Sequence, residues 1–407
     1  MFEKMLQRVP FYYSQRRTLV NVKLKWVKDP VLDTVAGGRE LKAACVLISL
    51  IATDPTGCVP VYNLSRCRGM LGLSDDIKIS TFMRKYPNIF EEFHVRDSGG
   101  TRVPWFRLSS EALEVYQEEI VAFQKCTIDI LNRLKKLLMM CRNRMLPLQT
   151  IDQLKWDLSL PFDYENSMVK RHPEWFRMVR LDDGRDGLKL VQWDESLAFS
   201  HLEVNSSPAT ENKEALAFPI GFTRGFGLKK KCIKWLEEWQ KLPYTSPYVD
   251  ASHLDPRTDV SEKRIVGVFH ELLHLTIQKK IERKNVSNLR KPLGLPQKFT
   301  KAFERHPGIF YISKKGDTQT VILRETYDRN QLIEKHPLVD IRERYATMMK
   351  QGFLDRSRGL YKKDKGEDLE EDESIASLVR ERNRIQFTSE EDSEFNILSE
   401  YESDETN

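Results

Sequence analysis

The sequence has few of the features that mark secreted, membrane or nucleotide-binding proteins. Its 407 residues include six cysteines, and none of them forms a C-x-x-C pair, so neither a disulfide framework nor a cysteine-rich zinc site is indicated. The longest apolar run, near Ala43 to Ala52, is too short to span a membrane. A P-loop, a G-x-G-x-x-G motif and a nucleophile signature are also absent, and we expect no cofactor.

Acidic residues are scarce at the start of the chain and abundant at its end. Up to Lys28 the only acid is Glu3, against seven Lys and Arg, which is typical of an organelle presequence and makes 1–24 a candidate targeting segment. From Asp364 onward there are 16 acidic and 4 basic residues, whereas the rest carries 61 basic and 44 acidic. We predict an acidic disordered tail over 351–407 and expect the basic body to bind a polyanion. The alternative is an ordinary solvated surface.

One pattern occurs three times: a basic residue, an aromatic or His, Pro, any residue, an apolar residue and Phe. The copies begin at Lys85, Arg171 and Arg305. A Leu-x-Leu triplet ends 14, 13 and 12 residues before the three prolines, at Leu73, Leu160 and Leu295 respectively. Such near-constant spacing predicts an internal structural repeat.

Each copy is followed by the signals of a β-hairpin. Gly- and Asp-containing turns at 97–100, 182–187 and 314–317 precede second runs at Val103–Leu108, Leu188–Trp193 and Gln319–Leu323. Each unit is therefore predicted to run helix, short helix, helix, hairpin, with the proline ending the third helix. This order is typical of a winged helix-turn-helix, which usually binds nucleic acid through its third helix and wing. The alternative is a unit that makes only protein contacts.

The predicted fold class is mainly α with small β-hairpins (α+β), arranged as three tandem winged-helix-like units. We place these units at 25–120, 121–202 and 218–350, with a polar linker over 203–217. Helical periodicity predicts amphipathic helices around Ile128–Leu138 and Cys232–Trp239. The stretch Ile265–Ile281 is apolar on more than one side and is predicted to be a buried helix.

The segment His270-Glu271-Leu272-Leu273-His274 matches the H-E-x-x-H motif of zinc hydrolases. Two histidines one turn apart could bind zinc, with Glu271 as general base. A third ligand is not evident, because Ile277 stands three residues beyond His274 and 293–298 contains no Glu. We therefore expect no metal and no catalytic residue, and a buried or capping role for both histidines. A zinc-dependent hydrolase is the alternative.

Basic residues are the better candidates for binding, because Lys and Arg neutralise phosphates. The candidates lie on the three third helices and in one dense cluster: Lys78, Arg84, Lys85, Lys170, Arg171, Arg224, Lys229, Lys230, Lys231, Lys298, Lys301 and Arg305. The aromatic residues among them, Tyr86, Trp105, Trp175 and Trp235, either stack on unpaired bases or anchor the core. The Gly-rich loop 221–227 could hold a phosphate or form a tight packing turn.

Long, dispersed blocks from about Lys25 to about Met349 resemble the plant organelle RNA recognition (PORR) domain family. The blocks are 25–30, 84–87, 104–108, 225–231, 235–240, 250–256, 305–311 and 336–338. The resemblance implies a mitochondrial protein, or alternatively a chloroplast protein, that binds group II intron RNA and promotes its splicing. It also implies no catalytic residues. We further expect no membrane contact, and other organellar splicing factors as additional partners. A protein-interaction scaffold is the second alternative to this function.

Overall fold

A computed structural model describes residues 24–74, 76–96, 100–206, 216–316 and 318–360. Residues 1–23 of the candidate targeting segment and most of the predicted acidic tail lie outside these residues. So do most of the predicted linker (207–215) and most of the predicted first turn (97–99). The chain divides into two compact units. Of the described residues, the larger unit contains 24–37 and 122–340, and the smaller contains 38–121 and 341–360.

Helices dominate, and the expected α+β class is confirmed. The α-helices are α1 (Pro30–Val35), α2 (Arg39–Ala52), α3 (Val61–Arg66), α4 (Arg68–Leu71), α5 (Ile79–Arg84), α6 (Ser110–Met139), α7 (Leu148–Leu158), α8 (His201–Val204), α9 (Lys230–Gln240), α10 (Asp259–Leu275), α11 (Arg283–Val286), α12 (Lys301–Arg305) and α13 (Pro337–Ser357). A π-helical turn spans Glu165–Val169, and 3₁₀ turns span Glu195–Leu197, Ser287–Leu289 and Arg324–Thr326. None of the helices in these ranges is both long and apolar enough to cross a membrane.

The strands are short and all antiparallel. They are β1 (Cys58–Pro60), β2 (Phe90–Arg96), β3 (Arg102–Leu108), β4 (Met145–Pro147), β5 (Phe176–Arg180), β6 (Asp186–Leu190), β7 (Lys280–Glu282), β8 (Phe310–Ser313), β9 (Thr320–Leu323), β10 (Tyr327–Asp328) and β11 (Gln331–Leu332). Three of the sheets share the same strand arrangement, with the strand orders β1-β3-β2, β4-β6-β5 and β7-β9-β8. In each, helical turns separate the first strand from the hairpin formed by the other two.

The three hairpins predicted from the sequence are thus confirmed, and each sheet has one strand more than predicted. The extra strands, β1, β4 and β7, have only three residues each. A run of three residues is too short to show a period-2 alternation, so the sequence carries no signal for it. Each of these strands pairs with the last strand of its hairpin and forms the edge strand on that side of the sheet.

The boundaries of two predicted elements were wrong. Strand β6 begins inside the predicted turn 182–187, since Asp186 pairs with Arg180, and it ends at Leu190 rather than Trp193. The predicted helix 265–281 ends at Leu275, and the backbone becomes extended at Thr276. Lys279 then adopts a left-handed φ of 51°, and 280–282 pair with β9, so that tertiary strand pairing overrides helical periodicity.

The repeated pattern marks where each hairpin is anchored on its helices. In every copy, the phenylalanine that ends the pattern is the first residue of the first hairpin strand, which is β2, β5 or β8. These residues are Phe90, Phe176 and Phe310. All three are at most 3% exposed. Burying a phenylalanine contributes about 2–3 kcal/mol. The spacing in the sequence therefore records a repeated packing contact.

Candidate nucleic-acid interface

The candidate cations of the first repeat surround α5, and two of them are held in ion pairs. Arg84 donates to both carboxylate oxygens of Glu92, at 2.7 and 2.5 Å. Lys85 donates to Glu40 at 2.7 Å. Lys78, the residue that precedes α5, is exposed. Within this repeat, Lys78 is the candidate best placed to meet a phosphate.

The candidates of the second repeat lie at the end of the π-helical turn Glu165–Val169. Lys170 and Arg171 are both exposed. Lys170 donates to the neutral side chain of Asn166 at 2.7 Å, which leaves its charge uncompensated by that contact. Both cations are therefore available to an anionic partner.

The third repeat differs from the second, because one of its candidates is tied to the protein interior. Arg305 pairs with Glu262 of α10, and the same carboxylate contacts the ring of the buried His306 at 2.7 Å. Lys298 and Lys301 are exposed. Arg305 thus stabilises the packing of α12 on α10, whereas the two lysines face solvent.

The dense basic cluster opens α9. Lys229 precedes the helix, and Lys230 and Lys231 form its first two positions; all three are exposed, as is Arg224 upstream. Cations at a helix N-terminus are slightly unfavourable, because the helix dipole is positive there. Trp235 and Trp239, further along the helix, are buried and anchor it. These lysines therefore do not stabilise α9, so the stability of the helix does not explain their position.

Ion pairing divides the twelve candidates into two groups. Arg84, Lys85 and Arg305 have carboxylate partners. Among the described residues, no carboxylate lies within ion-pairing distance of the other nine, which we call the solvent-facing cations: Lys78, Lys170, Arg171, Arg224, Lys229, Lys230, Lys231, Lys298 and Lys301. The sequence could not separate these groups, since the partners Glu40 and Glu262 lie 45 and 43 residues away.

Of the four candidate aromatics, three are core residues. Tyr86, Trp105 and Trp235 are at most 5% exposed. Trp175 is half-buried, and its ring stacks on His172 with the centroids 4.6 Å apart. The Nζ atom of Lys135 lies 4.5 Å from the centre of the same ring.

Trp175 lines a pocket of about 280 Å³ that was not predicted from the sequence. The other lining residues are Lys135, Gln192, Trp193, Asp194, Glu195 and Ser196. Lys135 donates to Asp194 at 2.8 Å on the pocket wall. The pocket brings together an aromatic face and polar groups, which is the combination that an unstacked base requires.

The Gly-rich loop 221–227 makes contacts typical of a packing turn. The N–H of Gly221 donates to the carbonyl of Gly308 at 2.8 Å. The rings of Phe222 and Phe226 lie 4.8 Å apart. A Cβ atom at Gly308 would stand 2.8 Å from Phe222, so the loop lies directly on the third copy of the repeated pattern.

The H-E-x-x-H segment lies on α10, whose residues Ile265–Leu275 are all buried. The Nε2 atoms of His270 and His274 each lie 2.8 Å from the same oxygen, Oε1 of Glu325. The ring of His201 stacks on that of His274, with 3.5 Å between centroids. Two further ligand-type side chains, Glu325 and His201, are thus brought to the two histidines. Neither was predicted, because both are far from α10 in the sequence.

Protonation in this cluster follows from burial and hydrogen bonding. Burial lowers the pKa of His274 to about 3, so its imidazole is neutral near pH 7. Burial alone would raise the pKa of Glu325, but the hydrogen bonds with His270 and His274 lower it to about 2. The cluster therefore contains an ionised carboxylate beside a neutral histidine.

Glu271, the residue at the general-base position of the motif, points into a different set of contacts. Its Oε2 accepts the backbone N–H of His201 at 2.6 Å. Its Oε1 accepts from the hydroxyl of Tyr248 at 2.6 Å and lies 2.8 Å from Nζ of Lys136. A general base must reach the proton of a bound water or substrate. Both oxygens of Glu271 are instead engaged in holding the fold together.

Comparison with known proteins places the chain in a family. The model of the plant organelle RNA recognition (PORR) domain matches residues 27–354. Protein WHAT'S THIS FACTOR 9, mitochondrial, from Arabidopsis thaliana is 40% identical over 347 residues, which cover 84% of this chain and 88% of that protein. The Arabidopsis thaliana protein WHAT'S THIS FACTOR 1 homolog, chloroplastic, is 30% identical over 90% of this chain and 71% of its own length.

A third relative carries a name of a different kind. Protein ROOT PRIMORDIUM DEFECTIVE 1 of Arabidopsis thaliana is 31% identical over 76% of this chain and 79% of its own length. No solved structure matches the chain significantly. The family resemblance drawn from the sequence blocks is confirmed: the chain belongs to the plant organelle RNA recognition domain family.

Proposed function

We propose that this protein binds group II intron RNA in a plant organelle and promotes its splicing without catalysing a bond-breaking step. The observation that carries the proposal is the set of nine solvent-facing cations, found on all three repeats of a chain that belongs to an RNA recognition family. Unpaired lysines and arginines gain free energy at phosphates because their binding releases condensed counterions. Other organellar splicing factors are its further proposed partners.

The mitochondrion is the proposed location, with the chloroplast as the alternative. The relative that is 40% identical over 84% of this chain carries the word mitochondrial in its name. Relatives that are 30–31% identical are named chloroplastic. The higher identity to the mitochondrial protein supports the first location.

The three repeats are proposed to act as winged-helix-like units with the boundaries 25–120, 121–202 and 218–350. The repeated order of a short strand, helical turns and a hairpin supports this architecture. In such a unit the third helix and the hairpin form the surface that binds nucleic acid. Lys78, Lys170, Arg171, Lys298 and Lys301 border the third helices, so these residues are the proposed phosphate contacts of the units.

The proposed mode of action is to hold the RNA in a productive conformation. Contacts to phosphates position an RNA but carry little sequence information. Base recognition requires unstacked bases and aromatic or polar surfaces that receive them. The pocket beside Trp175 supports such a contact in the second repeat.

A binding titration of the full chain tests this proposal. Domains of organellar group II introns, labelled with a fluorophore, would be titrated between about 50 and 200 mM salt, and we expect the affinity to fall by at least about 100-fold. An unstructured RNA of the same length is the control and should bind more weakly. Undetectable binding to intron RNA, or an affinity that does not change with salt, would contradict the proposal.

A further inference from the structure

The cluster around α10 brings three metal-ligand side chains together in the larger unit. His201 begins α8, His274 lies in the last turn of α10, and Glu325 lies in the 3₁₀ turn after β9. Each offers one ligand atom, and these atoms lie within 4.8 Å of one another. Three separate elements of the chain therefore converge on one point.

The donor set has the chemistry of a transition-metal site. Two imidazoles and one carboxylate are a ligand combination that zinc uses, and hard cations such as magnesium prefer oxygen ligands alone. The three side chains therefore offer an ion two nitrogen ligands and one oxygen ligand.

Two atoms of this cluster have no partner among the described residues. These atoms are Nδ1 of His274 and Oε2 of Glu325. Both are buried, and neither makes a hydrogen bond to any described residue. An unsatisfied buried polar atom carries a desolvation penalty, and such atoms call for a partner that is not a protein group. Nε2 of His274 faces the carboxylate of Glu325 at 2.8 Å, so the unpartnered Nδ1 is the nitrogen of this ring that is left without a protein contact.

We propose that His201, His274 and Glu325 bind one divalent transition-metal ion, with zinc as the ion that the donor set favours. Zinc holds its ligand atoms about 2.0–2.2 Å from the metal, so they would stand roughly 3.3 Å from each other. The observed separations of up to 4.8 Å require these side chains to move inward by about 1 Å. Because the two imidazole rings are stacked, the ring of His201 must also rotate so that a nitrogen of each ring points at the ion. His270, which also contacts Oε1 of Glu325, orients that carboxylate.

The ion would be structural rather than catalytic. It would join α8, α10 and the turn that follows the last strand of the third repeat, and so fix that hairpin on the core. Glu271 has both oxygens engaged by Tyr248, Lys136 and the backbone of His201, and it is not directed at the three ligands. The half-buried His201 offers the route by which the ion enters.

Metal content of the purified full chain tests the inference. The protein would be produced with zinc in the medium, freed of any affinity tag, passed through gel filtration and analysed by mass spectrometry for metals. We expect close to one zinc per chain in the wild type and in His253→Ala, a control at an exposed histidine elsewhere. His201→Ala and the near-isosteric Glu325→Gln should retain little zinc.

A stability measurement guards against variants that lose the ion only because they fail to fold. His201 is partly exposed, so His201→Ala should keep the far-ultraviolet circular dichroism spectrum of the wild type. A chelator should lower the Tm of the wild type by several degrees and leave that of His201→Ala unchanged, since an ion that binds only the folded state stabilises it. Cobalt should replace zinc and give visible absorption bands in the wild type but not in His201→Ala.

Three results would overturn the inference. These are a wild type without stoichiometric metal, a wild-type Tm indifferent to zinc and chelator, and equal zinc contents in the wild type and His201→Ala. In each case the cluster would be a hydrogen-bonded group of histidines around Glu325 and nothing more. None of these measurements involves RNA, so a result against the metal site leaves the proposed function unaffected.

Discussion

The hydroxyl of Tyr248 donates a hydrogen bond to Oε1 of Glu271 across 2.6 Å, deep inside the larger unit. Glu271 is the central acid of an H-E-x-x-H segment, yet this contact and those to Lys136 and His201 make it a structural anchor. Helix geometry explains why Glu271 does not join the two histidines. Residues 270 and 274 share a face of the helix, whereas residue 271 is rotated by about 100° from residue 270. The motif therefore places its histidines and its acid in two different environments.

Loss of the Glu271 carboxylate should destabilise the protein severely. Glu271→Ala would leave the hydroxyl of Tyr248 and the backbone N–H of His201 without an acceptor and would remove the carboxylate partner of Lys136. We expect the free energy of unfolding to fall by about 3–5 kcal/mol. Tyr248→Phe removes a single hydrogen bond and should cost about 1–2 kcal/mol. Urea unfolding followed by tryptophan fluorescence measures both. Glu237→Ala, on the exposed face of α9, is the control, and an equal effect there would contradict the anchor role.

Neutralising the cluster at the start of α9 should weaken RNA binding without harming the fold. For Lys230→Ala/Lys231→Ala we expect a reduced affinity for intron RNA and a log–log salt slope that is shallower by roughly 1–2. Stability should be unchanged or slightly higher, because cations at a helix N-terminus are unfavourable. Fluorescence anisotropy at several salt concentrations measures the slope. The matched double variant Lys125→Ala/Lys350→Ala removes two exposed charges elsewhere, and an equal loss of affinity in it would argue against a specific contact.

Arg305 and Lys301 lie on the same short helix and should respond in opposite ways. Arg305 is paired with Glu262, so Arg305→Ala should lower the free energy of unfolding by about 1–2 kcal/mol. Lys301 is exposed, so Lys301→Ala should change stability by less than about 0.5 kcal/mol but reduce RNA affinity. Unfolding and binding measured on both variants separate the two roles. Identical stability losses would show that the ion pair contributes nothing.

The third copy of the repeated pattern contains Gly308 where the other copies have Asn88 and Glu174, and this difference has a packing cause. A Cβ atom at Gly308 would stand 2.7 Å from Ile220 and 2.8 Å from Phe222. Gly308→Ala should therefore force the loop away and cost about 1–3 kcal/mol, as overpacking does. Gly69→Ala is the control, since a Cβ atom there meets nothing within 4 Å. Thermal unfolding of both variants measures the difference, and a tolerated Gly308→Ala would mean that the loop adjusts freely.

Lys263 should make the stability of the protein depend on pH above neutrality. It is fully buried, its Nζ donates to the carbonyls of Gln240 and Leu242, and burial lowers its pKa to about 8. Between about pH 8 and 10.5 the unfolded chain holds this proton and the folded chain does not, so the free energy of unfolding rises with pH in that window.

The matched variant for this prediction is Lys263→Met, which keeps the length of the side chain. Between pH 7 and pH 9 the wild type should gain on the order of 1 kcal/mol relative to Lys263→Met. Urea unfolding of both proteins at each pH measures this difference and cancels the contribution of all other groups. Parallel pH profiles would show that Lys263 titrates normally in the folded state.

The sequence by itself determined the features that depend on local spacing. The three-fold pattern marked the buried Phe90, Phe176 and Phe310, and the Gly- and Asp-containing turns marked three hairpins, because turn geometry is set by adjacent residues. Periodicity marked α9 and the buried α10, since packing on one face or on several repeats along a helix. Family membership followed from blocks spread over most of the chain.

Only the tertiary structure decided which candidate residues are available for binding. The carboxylates that bind Lys85 and Arg305 come from other helices, and the first strand of each three-stranded sheet pairs with a strand that is distant in the sequence. Likewise, His201 and Glu325 reach His274 only through folding. No local pattern encodes such contacts, because they depend on which distant segments the hydrophobic core brings together.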